Sequence, residues 1–298
     1  MKVQITGASG FVGQNLLNYL NEHGFETQSL SLRSEAWKNQ VSLKSDALIH
    51  LAGKAHDTKN TSEAADYFKI NTELTKQLFD IFLQSEIRDF IYFSSVKAAA
   101  DDVDAILDET DIPNPKTPYG ISKLKAEEYI LSQKLPESKR VFVIRPCMIH
   151  GPGNKGNLNL LYGFAKKGLP YPLAAYENKR SFLSVENLCF AVAEIVKGEI
   201  ASGIYQFADD EPLSTNEVVE LAGKSLGRKA KMWEVPKSLI GAAAKAGDAL
   251  KLPLNSERLQ KLTENYVVSN AKIVKAIGKP FPVSARDGLL KTFESFRK

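Results

Sequence analysis

Met1-Lys2-Val3-Gln4-Ile5-Thr6-Gly7-Ala8-Ser9-Gly10-Phe11-Val12-Gly13 decides the fold: a short apolar strand runs into three glycines spaced three apart, and helical periodicity follows. A strand-to-helix turn brings its backbone against a pyrophosphate only where no Cβ intervenes, and the unpaired amides of the first helical turn then point at the anion. Gly7 suits the tight turn, Gly10 the close approach of phosphate, and Gly13 the contact of helix with strand. The spacing is G-x-x-G-x-x-G in place of the commoner G-x-G-x-x-G. It reads as a dinucleotide cradle, with a glycine-rich turn that holds no ligand as the alternative.

Outward from this turn, strand-length apolar runs alternate with helical patterns through the first half. Strands are expected at Lys2–Thr6, Glu26–Leu32, Ala47–Ala52, Phe90–Ser94 and Val141–Pro146. Val12, Leu16, Tyr19 and Leu20 mark one helix face; Tyr67, Ile70, Leu74, Leu78 and Ile81 mark a second. A third helix is expected from Pro118 to Gln133, with Leu124 and Ile130 inward. The strands are continuously apolar more often than alternating, as in a parallel sheet covered on both faces. The expected fold is therefore α/β, a doubly wound parallel (Rossmann) sheet over residues 1–152. After Gly151-Pro152-Gly153 the texture changes, so 153–298 is expected to form a smaller, interleaved substrate-binding region, with 184–208 packing back on the sheet.

At 298 residues and 43% apolar content the chain can fill a sizeable core. Its 39 basic and 35 acidic side chains leave a net charge of +4. They are spread along the chain, which speaks against nucleic acid and for phosphorylated small molecules. The densest basic stretch, Lys224 to Lys231, reads as a solvated helix end. Cys147 and Cys189 lie in apolar surroundings without metal-ligand spacing, as core residues do. Val3–Ile5 is too short for a secretory signal, and Ser238–Leu252 is broken by Lys245, Asp248 and Lys251, so neither a leader nor a transmembrane span is expected. A cytoplasmic location follows as the expectation.

Tyr119-Gly120-Ile121-Ser122-Lys123 puts a phenol and an ammonium four residues apart, on one side of a helix. The same spacing recurs at Tyr162 and Lys166. Position favours Tyr119, which follows Pro118 at a helix start and comes shortly after a strand whose carboxyl end faces the crevice of a doubly wound sheet. Tyr162 is expected to pack. A free phenol titrates near pH 10; an ammonium at ~5 Å in an effective dielectric of ~20 favours the phenolate by about 3 kcal/mol. Such a tyrosine can take a proton from an alcohol as hydride leaves its carbon. Ser94-Ser95 ends the preceding strand. Ser95 is the candidate to hold the reacting oxygen, with Ser94 on the opposite face bonded to backbone; the alternative is that both serines merely cap.

Gly7, Gly10 and Gly13, the segment Asp46 to Gly53, Asn71, Ser94-Ser95, Tyr119 with Lys123, and Arg145-Pro146 through Gly151-Pro152 together resemble the extended short-chain dehydrogenase/reductase family. Within it the chain is similar to sugar-nucleotide 4-epimerases and 4-ketoreductases of surface-polysaccharide pathways. The resemblance implies that Ser95 orients the sugar O4, Tyr119 relays the proton, and Lys123 binds the nicotinamide ribose. Asn71 supports the site. Leu51, Ala52 and Gly53 line the cofactor through backbone, with Phe11 and Pro146 beside it, and His50 is no metal ligand. Downstream, Asn154 to Asn157 and Asn178 to Phe182 resemble the segments that hold the substrate diphosphate, which nominates Asn157 and Arg180. A structural salt bridge is the alternative for Arg180.

Three departures from the family pattern bear on function. The acid that usually ends the second strand is replaced by Ser31, and Arg33 follows, which favours NADP(H) over NAD(H). Only Trp37 to Ser45 separates that loop from Asp46, so the usual intervening strand is expected to be shortened or absent. Val96-Lys97 stands where a dehydratase needs an Asp-Glu pair, which argues against dehydration. The expected substrate is a nucleotide-diphosphate sugar. A lipid-diphosphate sugar is an alternative, with Lys224–Trp233 near a membrane surface. Rival readings are a cofactor-binding sensor without chemistry and a reductase of apolar ketones. A homodimer through Ser62–Gln84 and Pro118–Gln133 is a further expectation.

Overall fold

The computed structural model describes residues 1–54, 63–154, 158–250 and 255–297. Six strands form one parallel sheet: β1 (Lys2–Thr6), β2 (Glu26–Leu30), β3 (Ala47–His50), β4 (Asp89–Phe93), β5 (Arg140–Pro146) and β6 (Gly203–Phe207), in the order β2-β1-β3-β4-β5-β6. The strand order reverses at β1, so a crevice opens between the carboxyl ends of β1 and β3. β3 and β4 are buried at every position, which is why their sequences run apolar without alternation.

Five helices follow in chain order through this part. They are α1 (Phe11–Glu22); α2, built from Ala64–Tyr67, a π-helical turn Phe68–Glu73 and Leu74–Leu83; α3 (Pro118–Ser132); α4 (Leu158–Lys167); and α5 (Val185–Lys197). Side chains alternate across the sheet with period two. Ile91, Phe93, Phe142 and Ile144 point to one face and pack with Leu16 and Leu20 of α1 and with Leu188, Val192 and Ile195 of α5. Phe90, Tyr92, Val141 and Val143 point to the other, against Leu78, Phe79 and Phe82 of α2 and Ala126 and Ile130 of α3.

After Pro146 the chain leaves the sheet and comes back to it through α5 and β6. A second core gathers Leu161 and Tyr162 of α4 with α6 (Thr215–Ser225), α7 (Lys237–Leu250) and α8 (Ala285–Ser295). Tyr162 is buried there, stacked on Phe293, and its packing role matches the sequence reading. Both cysteines are buried, and burial pushes the Cys189 thiol up to about 12.

β2 stops at Leu30 and β3 at His50, two residues short of the sequence expectation in each case. Between them the chain makes a 3₁₀ turn, Glu35–Gln40, whose Trp37 is buried under the sheet edge. No further strand lies there, so β2 is the edge of the sheet.

Candidate active site

The glycine turn is built as its spacing requires. Gly7 has φ +70, and a Cβ on it would come within 2.7 Å of the Ala52 amide nitrogen. A Cβ on Gly13 would stand 2.4 Å from the Gly7 carbonyl, so α1 lies on the turn only because that residue has no side chain. Gly10 is the N-cap of α1 and offers no side-chain cap, and the first turn carries no acid. The leading amides of α1 are thus free of local acceptors, which fits a pyrophosphate.

Beyond β3, His50 joins three elements. The Ala52 amide donates to the Thr6 hydroxyl (3.1 Å), which lies 2.7 Å from His50 Nδ1. On the other side His50 Nε2 meets the Thr75 hydroxyl (2.9 Å), and that hydroxyl donates to the Asn71 carbonyl (2.8 Å). Thr75 therefore accepts from Nε2–H, and the ring is neutral with Nδ1 as acceptor. Burial, seconded by Lys123, holds its pKa down to about 3. Among the described residues no cluster of metal-ligating side chains occurs.

Asn71 sits on the π-helical turn, fully buried, with its amide clamped by the Lys54 backbone (2.7 and 3.1 Å) and the Ser122 hydroxyl (3.1 Å). A Cβ on Gly53 would meet Asn71 Oδ1 at 3.0 Å and Lys123 Nζ at 3.2 Å. The structure thus brings Gly7, Ala52, Gly53, Asn71 and Lys123 into one run of contacts.

Ser95 closes β4 at its carboxyl end, and Tyr119 on the first turn of α3 lies within its influence there, the Ser95 hydroxyl favouring the phenolate. The Ser95 oxygen accepts the Lys97 amide (3.2 Å), capping the short turn Val96–Ala98. Tyr67 packs edge-on against Tyr119 at 6.0 Å. Two expectations are corrected here. Burial raises the Tyr119 phenol above its ordinary value, opposite to the depression expected, with the Ser95 hydroxyl opposing the rise. Lys123 Nζ itself donates to the Phe93 carbonyl (2.8 Å) and stands 5.0 Å over the Tyr92 ring. The second correction concerns Ser94, whose hydroxyl donates to the Glu127 carboxylate and not to backbone.

Glu127 and its partner Arg145, each 1% exposed, form a buried ion pair under the site. α3 consequently buries Ser122, Lys123 and Glu127 with Ala126 and Ile130, and Leu124 is only half-buried. Sequence reading missed two more residues. A Cβ on Gly120 would lie 2.3 Å from the Lys97 carbonyl, so α3 docks on the Ser95 turn through that glycine. Asp101 accepts from the Lys116 and Thr117 amides (2.6 and 3.1 Å) and fixes the start of α3 to the same turn. The Tyr119-Gly120 neighbourhood signals the first; no local pattern signals the second.

Arg180 is half-buried and bound to structure: its Nη1 donates to the Lys261 carbonyl and lies 3.6 Å from Glu264. The salt-bridge alternative is therefore realised. Its main-chain bridge to Tyr266 places it beside the Ser95 turn, because the Tyr266 hydroxyl donates to the Ala100 carbonyl (2.6 Å) and Lys97 Nζ sits 4.2 Å over the Tyr266 ring. Burial lowers the Lys97 ammonium, and Glu264 opposes the fall. Asn157 lies outside the described residues. Ser31 and Arg33 are exposed just past the carboxyl end of β2, Phe11 opens α1 and Pro146 ends β5.

A model of the NAD-dependent epimerase/dehydratase family matches residues 3–206. The chain is 26% identical to the UDP-glucose 4-epimerase of Vibrio cholerae over 99% of its length and 95% of that protein. It is also 26% identical to the N-acetyl-alpha-D-glucosaminyl-diphospho-ditrans,octacis-undecaprenol 4-epimerase of Escherichia coli O157:H7, over 98% and 94% of the two chains. Among solved structures, the NADPH complex of RMD from Pseudomonas aeruginosa superposes with a TM-score of 0.76, at 22% identity and with 99% of each chain covered.

Proposed function

The chain belongs to the NAD-dependent epimerase/dehydratase family and is an enzyme of that class, and on this premise we propose that it acts at carbon 4 of a diphosphate-linked sugar, as a 4-epimerase or 4-ketoreductase. The docking of α3 on the Ser95 turn through Gly120, which sets Tyr119 and Ser95 at the carboxyl end of β4, carries the reading. It sets an alcohol-sized acceptor and a phenol side by side where β4 opens on the crevice, one contact run away from the glycine turn. A bound nicotinamide supplies or removes the hydride at the sugar carbon. Ser95 holds the sugar O4, and Tyr119 takes its proton or returns it. Lys123, turning from the Phe93 carbonyl, binds the ribose, and Asn71 fixes the strand-to-helix segment beside it.

Gly7, Gly10, Phe11 and Gly13 hold the pyrophosphate, and Leu51, Ala52, Gly53 and Pro146 line the nicotinamide half. Ser31 and Arg33 select NADP(H) over NAD(H). On the substrate side Arg180 and Asn157 bind the diphosphate, Arg180 by exchanging its Glu264 contact for phosphate. Residues 1–152 thus serve the cofactor and 153–298 the sugar. Val96-Lys97 offers no acid pair for dehydration. The two 4-epimerases to which the chain is similar support a diphosphate-linked sugar, nucleotide or lipid.

Tyr119→Phe is expected to lower kcat at least ~100-fold while NADPH still binds. Near-normal turnover of a sugar substrate by this variant would remove Tyr119 as the proton relay.

A further inference from the structure

We infer that the outer face of α4 and of the Arg228–Lys237 segment docks on an anionic lipid bilayer. Six of the eleven exposed large apolar side chains among the described residues fall between Leu160 and Leu250. On α4, Leu158, Leu161, Tyr162 and Ala165 fill the core, yet Leu160 (67% exposed) and Phe164 (39%) point outward, with Lys167 completing the same stripe. Leu169 continues it, its amide bonded to the Phe164 carbonyl.

The second segment lies alongside. The Tyr171 amide donates to the Lys231 carbonyl (2.8 Å), and the Trp233 amide to the Tyr171 carbonyl (2.9 Å). Arg228 Nη1 reaches the Lys166 carbonyl (3.4 Å). In this extended stretch Met232 turns inward while Lys231 and Trp233, 58% exposed, share the outer side. Leu239, 61% exposed, follows on the first turn of α7.

Charge selects the occupant. From Leu158 to Leu169 the chain carries Lys166 and Lys167 and no acid; from Arg228 to Lys245 it carries five cations and Glu234 alone. An isologous contact with a second copy would set these cations against themselves. Hydrocarbon rewards Leu160 and Leu239, the interface rewards an indole, and anionic headgroups reward the lysines. No helix among the described residues is long and apolar enough to cross a membrane, so the contact is peripheral. The inference is separate from the reaction at Tyr119.

Trp233 reports on it directly, because Trp37, the only other tryptophan, is 5% exposed. Adding mixed phosphatidylglycerol and phosphatidylcholine vesicles to the full chain should shift the Trp233 emission to the blue. Co-sedimentation should be about ten-fold stronger than with phosphatidylcholine alone, and the preference should vanish near 1 M salt, where the Debye length is about 3 Å. Trp233→Ser with Leu239→Asp should lose most of that binding while turning over a soluble nucleotide sugar at the parent rate. Absence of co-sedimentation, or equal binding to neutral vesicles, would overturn the inference. So would a blue shift that grows with protein concentration without vesicles, which would assign the face to a second copy.

Discussion

At the residue scale, the contrast between Lys123 and Arg33 separates two uses of a cation. Lys123 is 5% exposed, and burial pushes it down to about 8 while the Glu127 carboxylate holds it up. The Phe93 carbonyl and the Glu127 charge are what support this buried cation. Arg33 is exposed, and a guanidinium there can grip a 2′-phosphate with two parallel hydrogen bonds. Arg33→Asp is expected to weaken NADPH at least ~ten-fold and leave NADH unchanged or tighter, because it replaces a charge-assisted bond by repulsion. Fluorescence titration of both nucleotides checks this, and unchanged NADPH affinity would take the selectivity away from Arg33.

At the element scale, α3, β4 and β5 are tied together by Glu127, which accepts from Ser94 and from Arg145 Nε (3.1 Å) and Nη2. Three elements meet at one carboxylate. Glu127→Gln leaves the Arg145 charge buried without a counter-charge and is expected to cost about 3–5 kcal/mol in urea unfolding. Replacing all three by apolar groups, Ser94→Ala, Glu127→Leu and Arg145→Met, should recover much of that loss, since no charge then remains to desolvate. A near-neutral Glu127→Gln would show that the pair is not what holds α3 on the sheet. The π-helical turn of α2 is a second element-scale device: its extra residue per turn presents Asn71 to both Lys54 and Ser122.

At the scale of the whole molecule, His50 makes stability depend on pH. An unfolded chain takes up the histidine proton near 6.5, whereas the folded ring resists it down to about 3. The unfolded state binds the extra proton between those values, so stability falls as the pH drops through that window. Thermal unfolding should shift to lower temperature on acidification from pH 6.5, and His50→Gln should show a shallower decline. Equal slopes in the two proteins would mean that other groups govern the acid limb. The two-core construction has a similar global consequence, since β6 and α5 return to the sheet from beyond the changed-texture boundary and bind the halves into one body.

What the sequence determined by itself is what local sterics and periodicity encode. The glycine spacing, the apolar runs of β3 and β4 and the Pro118 helix start all act within a few residues, and all reappear in the structure. The tertiary structure alone decided who meets whom across the fold. It set Glu127 against Ser94 and Arg145, Asp101 against the start of α3, Arg180 against Glu264, and Lys123 on the Phe93 carbonyl. Those partners lie far apart along the chain, and a buried charge takes whichever acceptor the packed elements bring within reach, a choice that no periodicity records.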